Sequence, residues 1–519
     1  MPTLNWIGKD KVVNHHLDVP FRVLEEQYNF GDNADGNMII HGDNLDALKA
    51  LLPRFEGRVK CIYIDPPYNT GNEGWVYNDN VNDPKIRKWL GEVVGREGED
   101  LSRHDKWLCM MYPRLKLLQK LLAEDGVIFI SIDNNELYNL KIICDDIFGS
   151  HNFIDTIVWQ KRTSPDARKK LSSGHEYIVT YAKNAMLEST LRLLPIEGDD
   201  KSQYKNPDND PRGPWSSSDF TAQGWRPNQM YTITTPSGLQ MKPPEGRCWR
   251  HLEEVYNELL ADNRLWFGTD GNGVPRKKTF LSEKEGKGIW TWWTNNEIGH
   301  TQEATQETAQ ILGKAVFDYP KPVRLIQRII RLAADPDSII LDSFAGSGTT
   351  AHAVLSLNKK DEGHRRIILV ELGDYAESIT AERVRRVITG YGEGKKAVEG
   401  TGGGFSFYEL GAPLMIDGNL NPDVPEARIR EYVYYTETRL PMPPAAESEP
   451  HLLGVHNRAA YYFYYLPDAV TTLNEAFLRT IRTDADSYMI YADVNALDEA
   501  MMKRHHITFK KIPRDITLL

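Results

Sequence analysis

The chain has 519 residues, of which 40% are hydrophobic and 26% charged, and its net charge at pH 7 is −11. It is long enough for roughly two to four domains. No apolar run reaches the ~18–20 residues that cross a bilayer, the opening MPTLNWIGKDKVVNHH lacks the basic-then-apolar pattern of a signal peptide, and Cys61, Cys109, Cys144 and Cys248 form no CxxC pair. A membrane protein, a disulfide scaffold and a zinc site are therefore set aside, no metal is expected, and a cytoplasmic protein is expected.

From the N-terminus, short β-branched runs alternate with longer helical patterns. NMIIHG (37–42) reads as a strand, 44–53 as a helix, VKCIYID (59–65) as a strand and 105–124 as a helix. GVIFISID (126–133) is a strand, 135–148 a helix, and FIDTIVWQ (153–160) and EYIVTYAK (176–183) are strands. Residues 186–309 break the rhythm: NPDNDPRGPWSSSDF, TAQGWRPNQ and IWTWWTNNEIGH are rich in Pro, Gly, Asn and Trp, as in an inserted, loop-rich domain. Its core is expected to include Trp290, Trp292 and Trp293. The alternation resumes with a helix at 322–334, SIILDSF (338–344), a helix at 347–357, RRIILVEL (365–372) and a helix at 375–389. Runs this continuously apolar suit strands buried on both faces, so a doubly wound parallel sheet is expected. GYGEGKKAVEGTGGG (390–404) reads as a linker into a third unit, with strands at 459–466 and 488–494, a helix at 473–481 and an exposed LPMPPAAESEP loop.

Charge is unevenly spread. Residues 161–300 hold 20 Lys and Arg against 18 Asp and Glu, and 405–519 hold 11 against 16. The middle of the chain is the part suited to meet a polyanion, and the acidic C-terminal part suits a protein contact or a structural cap.

Two stretches carry chemistry. In SIILDSFAGSGTTAHAVL a buried strand ends at Asp342, turns through Ala345-Gly346-Ser347-Gly348 and enters a helix. Glycine lets a ligand approach the backbone, and the helix start offers free N–H groups. A second strand ends in Glu371, placed to accept hydrogen bonds from ribose hydroxyls. A nucleoside-containing cofactor follows, although Gly346-Ser-Gly348-Thr-Thr-Ala351 also satisfies a nicotinamide-type fingerprint.

The other stretch is CIYIDPPYNTG (61–71). Pro66 and Pro67 fix φ and remove two donors, so the Asp65 carboxylate and the Pro66 carbonyl dominate the local field. Two acceptors holding both N–H bonds of an exocyclic amine would localise its lone pair, and Tyr68 would stack on the base. The amine nitrogen then attacks a methyl sulfonium directly, with orientation and electrostatics doing the catalysis.

DPPY at 65–68 and DSFAGSGTT at 342–350 resemble the acceptor and S-adenosylmethionine motifs of DNA amino-methyltransferases. The acceptor motif comes first, as in the β class. YIDPPYNTGNEGWVYND, HDKWLCMMYPRLKLLQKLLAEDGVIFISIDNNEL, SSGHEYIVTYAKN and AERVRRVITGY are similar to the Mod (modification) subunits of type III restriction–modification systems. The resemblance implies an α/β fold of the circularly permuted, Rossmann-like S-adenosylmethionine-dependent methyltransferase type, with an inserted target-recognition domain and a small C-terminal α+β domain. It divides the chain into 1–185, the catalytic part; 186–309, the insertion; 310–392, the cofactor-binding part; and 393–519, linker and accessory domain.

The same resemblance gives Asp65, Pro66, Pro67 and Tyr68 the target amine. It gives the cofactor Asp342, Phe344, Ala345, Gly346, Gly348 and Thr349, with Glu371 on the ribose, Asp43 on the adenine moiety and Lys321 closing the methionine side. DPPY is typical of adenine-N6 enzymes, with a cytosine-N4 enzyme or a non-catalytic DNA-binding specificity subunit as the alternatives. A base inside a duplex is out of reach, so base flipping is implied. The implied partners are double-stranded DNA, a second copy of the chain and a Res-like helicase–nuclease. GWRPNQ (224–229) and VPRKKTF (274–280) are the candidate DNA-reading stretches, and NEGWVYNDNVNDPKIRKW (72–89) a candidate cover for the active site.

Overall fold

A computed structural model of the chain describes residues 3–32, 34, 36–70, 103–313 and 316–514. The 72–89 stretch lies outside these residues. Among them, ten strands form one sheet: β1 (Arg22–Gly31), β2 (Met38–His41), β3 (Val59–Ile64), β4 (Leu122–Ile132), β5 (Phe153–Gln160), β6 (His175–Ala182), β7 (Trp292–Trp293), β8 (Ile339–Asp342), β9 (Arg366–Glu371) and β10 (Gly404–Pro413). Their order across the sheet is β1-β10-β2-β9-β8-β3-β4-β6-β5-β7.

The centre, from β10 to β4, is parallel. Its strands are buried on both faces. Ile62, Ile64, Leu341, Ile368 and Val370 join one core with α1 (Asn44–Phe55), α2 (Arg103–Leu121) and α3 (Leu137–Phe148). The alternate residues Cys61, Tyr63, Ile340, Ile367 and Leu369 are also buried. On the way round, α4 is Thr301–Leu312, α5 is Val323–Ala333, α6 is Thr349–Asp361 and α7 is Glu382–Thr389. Helix α5 buries Leu325, Ile326, Ile329 and Ile330 and contacts β3 and β4. The cysteines behave as core residues, and burial pushes the Cys61 thiol up to about 12.

The sheet is parallel at its centre, as expected, and carries an antiparallel strand towards each side. β6 runs antiparallel to both β4 and β5. A strand buried on both faces has the same apolar run in either direction, so composition could not tell them apart. On the other side, β1 and β10 pair antiparallel from Arg22–Pro413 to Gly31–Gly404, and β10 runs parallel to β2.

The C-terminal part is therefore not set off at residue 393. Strand β10 belongs to the central sheet. Helix α8 (Glu426–Thr438) follows, and its Tyr435 hydroxyl donates to Glu56 beside the end of α1. Strands Leu452–His456, Ala459–Phe463, Ser487–Ala492 and Ile507–Lys511 form a further sheet, packed through Leu453 and Phe463 against Ile429 and Val433 of α8.

Residues Leu193–Ile289 make a second compact unit, narrower than 186–309. Its core is Phe220, Ile233, Trp249, Tyr256, Leu265 and Phe267. The expected Trp290, Trp292 and Trp293 are not in it. Trp292 and Trp293 form β7, which extends the central sheet beside β5; Trp293 is buried and Trp290 is 86% exposed. Within the unit, Lys278 is buried against Asp208 and Asp210, and Arg276 is tied to Asp219 and Ser217. Trp225 and Arg226 are exposed.

Candidate active site

Register brings the two motifs together. Ile340 pairs with Cys61 and Leu341 with Ile62, so Asp342 and Asp65 leave adjacent strands at the same edge. The DPPY turn beyond β3 is pinned from α2, where Trp107 Nε1 donates to the Pro67 carbonyl at 2.7 Å. Asn69 is buried at φ 58 and donates to Glu136 Oε1 at 2.5 Å and to the Arg103 carbonyl at 3.1 Å. A left-handed φ at a non-glycine residue costs of order 1 kcal/mol or more, and the two side-chain bonds offset it.

The turn opens on a cleft of about 380 Å³. Of the predicted residues, Asp65, Pro66, Pro67, Tyr68, Lys321, Asp342, Phe344, Ala345, Gly346 and Thr349 line it. Asp43, Gly348 and Glu371 do not. Asp43 caps α1 through the Leu45 N–H at 2.7 Å and takes the Arg114 guanidinium at 2.9 and 3.2 Å. Glu371 accepts from Gly346 N–H at 2.7 Å, and from Gly373 N–H and the Tyr375 hydroxyl at 2.8 Å each. Its carboxylate thus fixes the glycine turn. Gly348, at φ 79, faces α7 and its approach, where an added Cβ would stand 3.1 Å from the Thr380 carbonyl oxygen.

The sequence reading did not single out Glu176 or Lys161. The reversal of β6 brings in Glu176, which lies opposite Trp159 near the end of β5, one residue before Tyr177, the partner of Ile132 at the end of β4; Lys161 directly follows β5. The result is a compact charged group. Asp65 Oδ1 is 2.8 Å from the Tyr68 hydroxyl, and Oδ2 accepts from Lys321 Nζ at 2.5 Å. Glu176 Oε2 lies 3.1 Å from the same hydroxyl and 3.7 Å from Lys321 Nζ. Lys161 Nζ donates to Glu176 Oε1 at 2.7 Å. Lys321 Nζ also sits 5.1 Å over the Tyr68 ring.

Burial raises the Asp65 carboxyl against the pull of Lys321. Burial also disfavours charge on Glu176, but Lys321 and Lys161 outweigh it and hold that carboxyl below its ordinary value. Among the described residues, no cation stands beside Asp342. Burial pushes its carboxyl up to about 7, despite hydrogen bonds from the Thr350 hydroxyl and the Phe344 N–H.

Behind the glycine turn lies Arg383 of α7, fully buried. Its Nη1 donates to Ser347 Oγ and Thr349 Oγ1 at 2.9 Å each, and Glu307 stands 3.8 Å away. Burial lowers this guanidinium to about 10. The arrangement holds both hydroxyls of the turn from the side away from the cleft.

Compared with known proteins, residues 59–382 match a family described as DNA methylase. The chain belongs to that family. The StyLTI Mod subunit of a type III restriction–modification enzyme of Salmonella typhimurium is 38% identical over 384 residues, 70% of this chain and 57% of its own length. The EcoPI Mod subunit of Escherichia phage P1 is 34% identical over 422 residues, 71% of this chain and 63% of its own length. The type II methyltransferase M.KpnI of Klebsiella pneumoniae is 34% identical over 364 residues, 65% of this chain and 81% of its own length. The chain thus spans less than two thirds of the Mod subunits it matches. The family match covers both the DPPY turn and the glycine turn.

Proposed function

We propose that the protein methylates the N6 amine of adenine in double-stranded DNA, as the modification component of a restriction–modification system. The observation that carries this reading is the shared cleft, which sets an amine-holding carboxylate against a glycine turn within one lined volume. The relatives named Mod subunits support it.

The residues present fit S-adenosylmethionine. Gly346, at φ 55, gives the cleft wall a stretch of bare backbone. Asp342 is a buried acid whose ionisation a bound cation would favour, and Phe344 lies beside it in the lining. Asp342, Phe344, Ala345, Gly346 and Thr349 would hold the cofactor, which when bound supplies an electrophilic methyl on sulfonium. The protein does the rest. Asp65 accepts an N–H of the adenine amine and localises its lone pair. Tyr68 stacks on the extruded base. The positive charge that develops on nitrogen is offset by the Asp65 carboxylate, and the excess proton passes from that nitrogen to solvent by way of this half-buried carboxylate. A nucleophilic side chain is not needed.

In this reading the Leu193–Ile289 unit reads the target sequence, with exposed Trp225 and Arg226 better suited to it than Lys278 and Arg276, which are already paired within the unit. The working form is a homodimer able to pair with a Res-like helicase–nuclease.

Unmethylated genomic DNA incubated with the protein and S-adenosylmethionine, then digested and analysed by nucleoside mass spectrometry, tests the proposal. N6-methyladenine is expected with the native chain, and Asp65→Ala is expected to lower it at least about 10²-fold. N4-methylcytosine in its place would refute the base assignment. Equal yields from the two proteins would refute the role of Asp65.

A further inference from the structure

The lysine in this cleft stands where the substrate belongs. Lys321 Nζ donates to Asp65 Oδ2 at 2.5 Å, and Asp65 Oδ1 is engaged by the Tyr68 hydroxyl. An adenine amine reaching Asp65 meets a carboxylate whose charge is already offset by an ammonium. The positive charge that methyl transfer creates on the amine would then face that ammonium across one carboxylate.

A second anchor for the ammonium is already built. Glu176 Oε2 lies 3.7 Å from Lys321 Nζ, about 1 Å beyond hydrogen-bonding distance. Lys161 holds the other oxygen at 2.7 Å. The Glu176 side chain is only 10% exposed, so Lys321 and Lys161 meet it largely out of water. The lysine stem can cover so short a distance by side-chain rotation. Of the two acids flanking Lys321, Glu176 is the one held low, whereas Asp65 is raised by burial.

Resting on the adenine-methylation reading above, we propose that Glu176 is a positioning residue that takes over the Lys321 ammonium when the target amine engages Asp65. Before the base engages, Lys321 neutralises Asp65, a half-buried carboxylate that otherwise feels the charges of Glu176 and Asp342. With the base in place, Lys321 moves to Glu176. Asp65 then acts on the amine alone, while the cleft keeps its ammonium–carboxylate balance. Lys161 serves by aiming Glu176.

A double-mutant cycle on single-turnover methyl transfer tests this, with S-adenosylmethionine affinity measured alongside. Glu176→Gln keeps the shape and removes the charge. Lys321 then stays on Asp65, so the rate should fall about 10²-fold while the cofactor Kd changes less than about twofold. In a Lys321→Met background the same substitution should cost less than about threefold, because no ammonium remains to be moved. A 10²-fold loss in both backgrounds would show that Glu176 acts independently of Lys321 and would overturn the proposal. So would a native rate for Glu176→Gln alone. If Glu176→Gln fails to hold the cofactor, the cycle is repeated with Glu176→Met, which also removes the charge, under the same criterion. Absence of N6-methyladenine from the native protein would instead refute the function on which this step rests, so the two failures are distinguishable.

Discussion

Asp342→Asn should make the protein more stable and less able to bind its cofactor, to a degree set by pH. The Asp342 carboxyl is fully buried and held at about 7 against an ordinary 3.8. A carboxyl raised in the folded state contributes its full share of stability below its unfolded pKa and loses it as pH rises to the folded one. At ~1.4 kcal/mol per pH unit, the loss is about 1.5 kcal/mol at pH 5 and levels off near 4 kcal/mol above pH 7. Asparagine removes the titration and keeps the shape: its oxygen can still accept from the Phe344 N–H, and its amide can donate to the Thr350 hydroxyl, which now donates to Asp342. Thermal unfolding of both proteins from pH 5 to 8.5 measures the effect. The variant should gain several degrees over the native chain at pH 8 and distinctly less at pH 5. Calorimetric titration supplies the second readout: native affinity for S-adenosylmethionine should climb as pH passes 7, while the variant's should be weak and flat. A melting difference that does not change with pH would refute the assignment of a raised, cation-free carboxyl at the end of β8.

Gly348→Ala forces a side chain onto a φ of 79, with its Cβ 3.1 Å from the Thr380 carbonyl oxygen; a loss of about 1–3 kcal/mol in unfolding stability is expected, and a melting temperature equal to the native one would contradict the packing described. Arg383→Met leaves Glu307 without its buried cation and the Ser347 and Thr349 hydroxyls without their donor. Cofactor affinity should weaken at least tenfold and stability fall by about 3–5 kcal/mol; an unchanged Kd by calorimetry would show that the guanidinium does not shape the turn.

The parallel half of the molecule could be read from the sequence because its signals are local. CIYID and IILD are apolar runs that end in acids, the first followed at once by two prolines and the second within a few residues by a glycine turn. Those two features alone set Asp65 and Asp342 at one sheet edge once the strands pair. What escaped the reading depends on contacts that no local pattern encodes. RVLEEQYNFG, which forms β1, sets buried Val23 and Leu24 before three exposed polar residues and alternates only at Tyr28–Gly31, too short a pattern to read as a strand, and its partner β10 lies behind a glycine-rich stretch that looks like a linker. TQEATQETAQIL buries only Ala304, Thr308, Ile311 and Leu312, too narrow a stripe to stand out within a polar insertion. Glu176 is the telling case among site residues. In GHEYIVTYA it looks like the polar start of a strand. Only the direction of β6 carries it to the cleft, and direction is fixed by sheet topology. Asp43 and Gly348 are residue types suited to a ligand that also cap and pack here, a use compatible with either role.

The interleaving of early and late strands also sets when the molecule can become itself. β3 must pair with β8, whose first residue is made some 275 residues later, and β2 lies between β9 and β10, later still. At roughly 5–20 residues per second, the ribosome leaves the carboxylate half of the cleft without its neighbours for tens of seconds. During that time a strand as apolar as VKCIYI has bare edges, of the kind that recruit other chains. Until the last strand of the sheet emerges, that edge stays open to other chains, so the success of folding depends on protection during synthesis as well as on the stability of the finished fold.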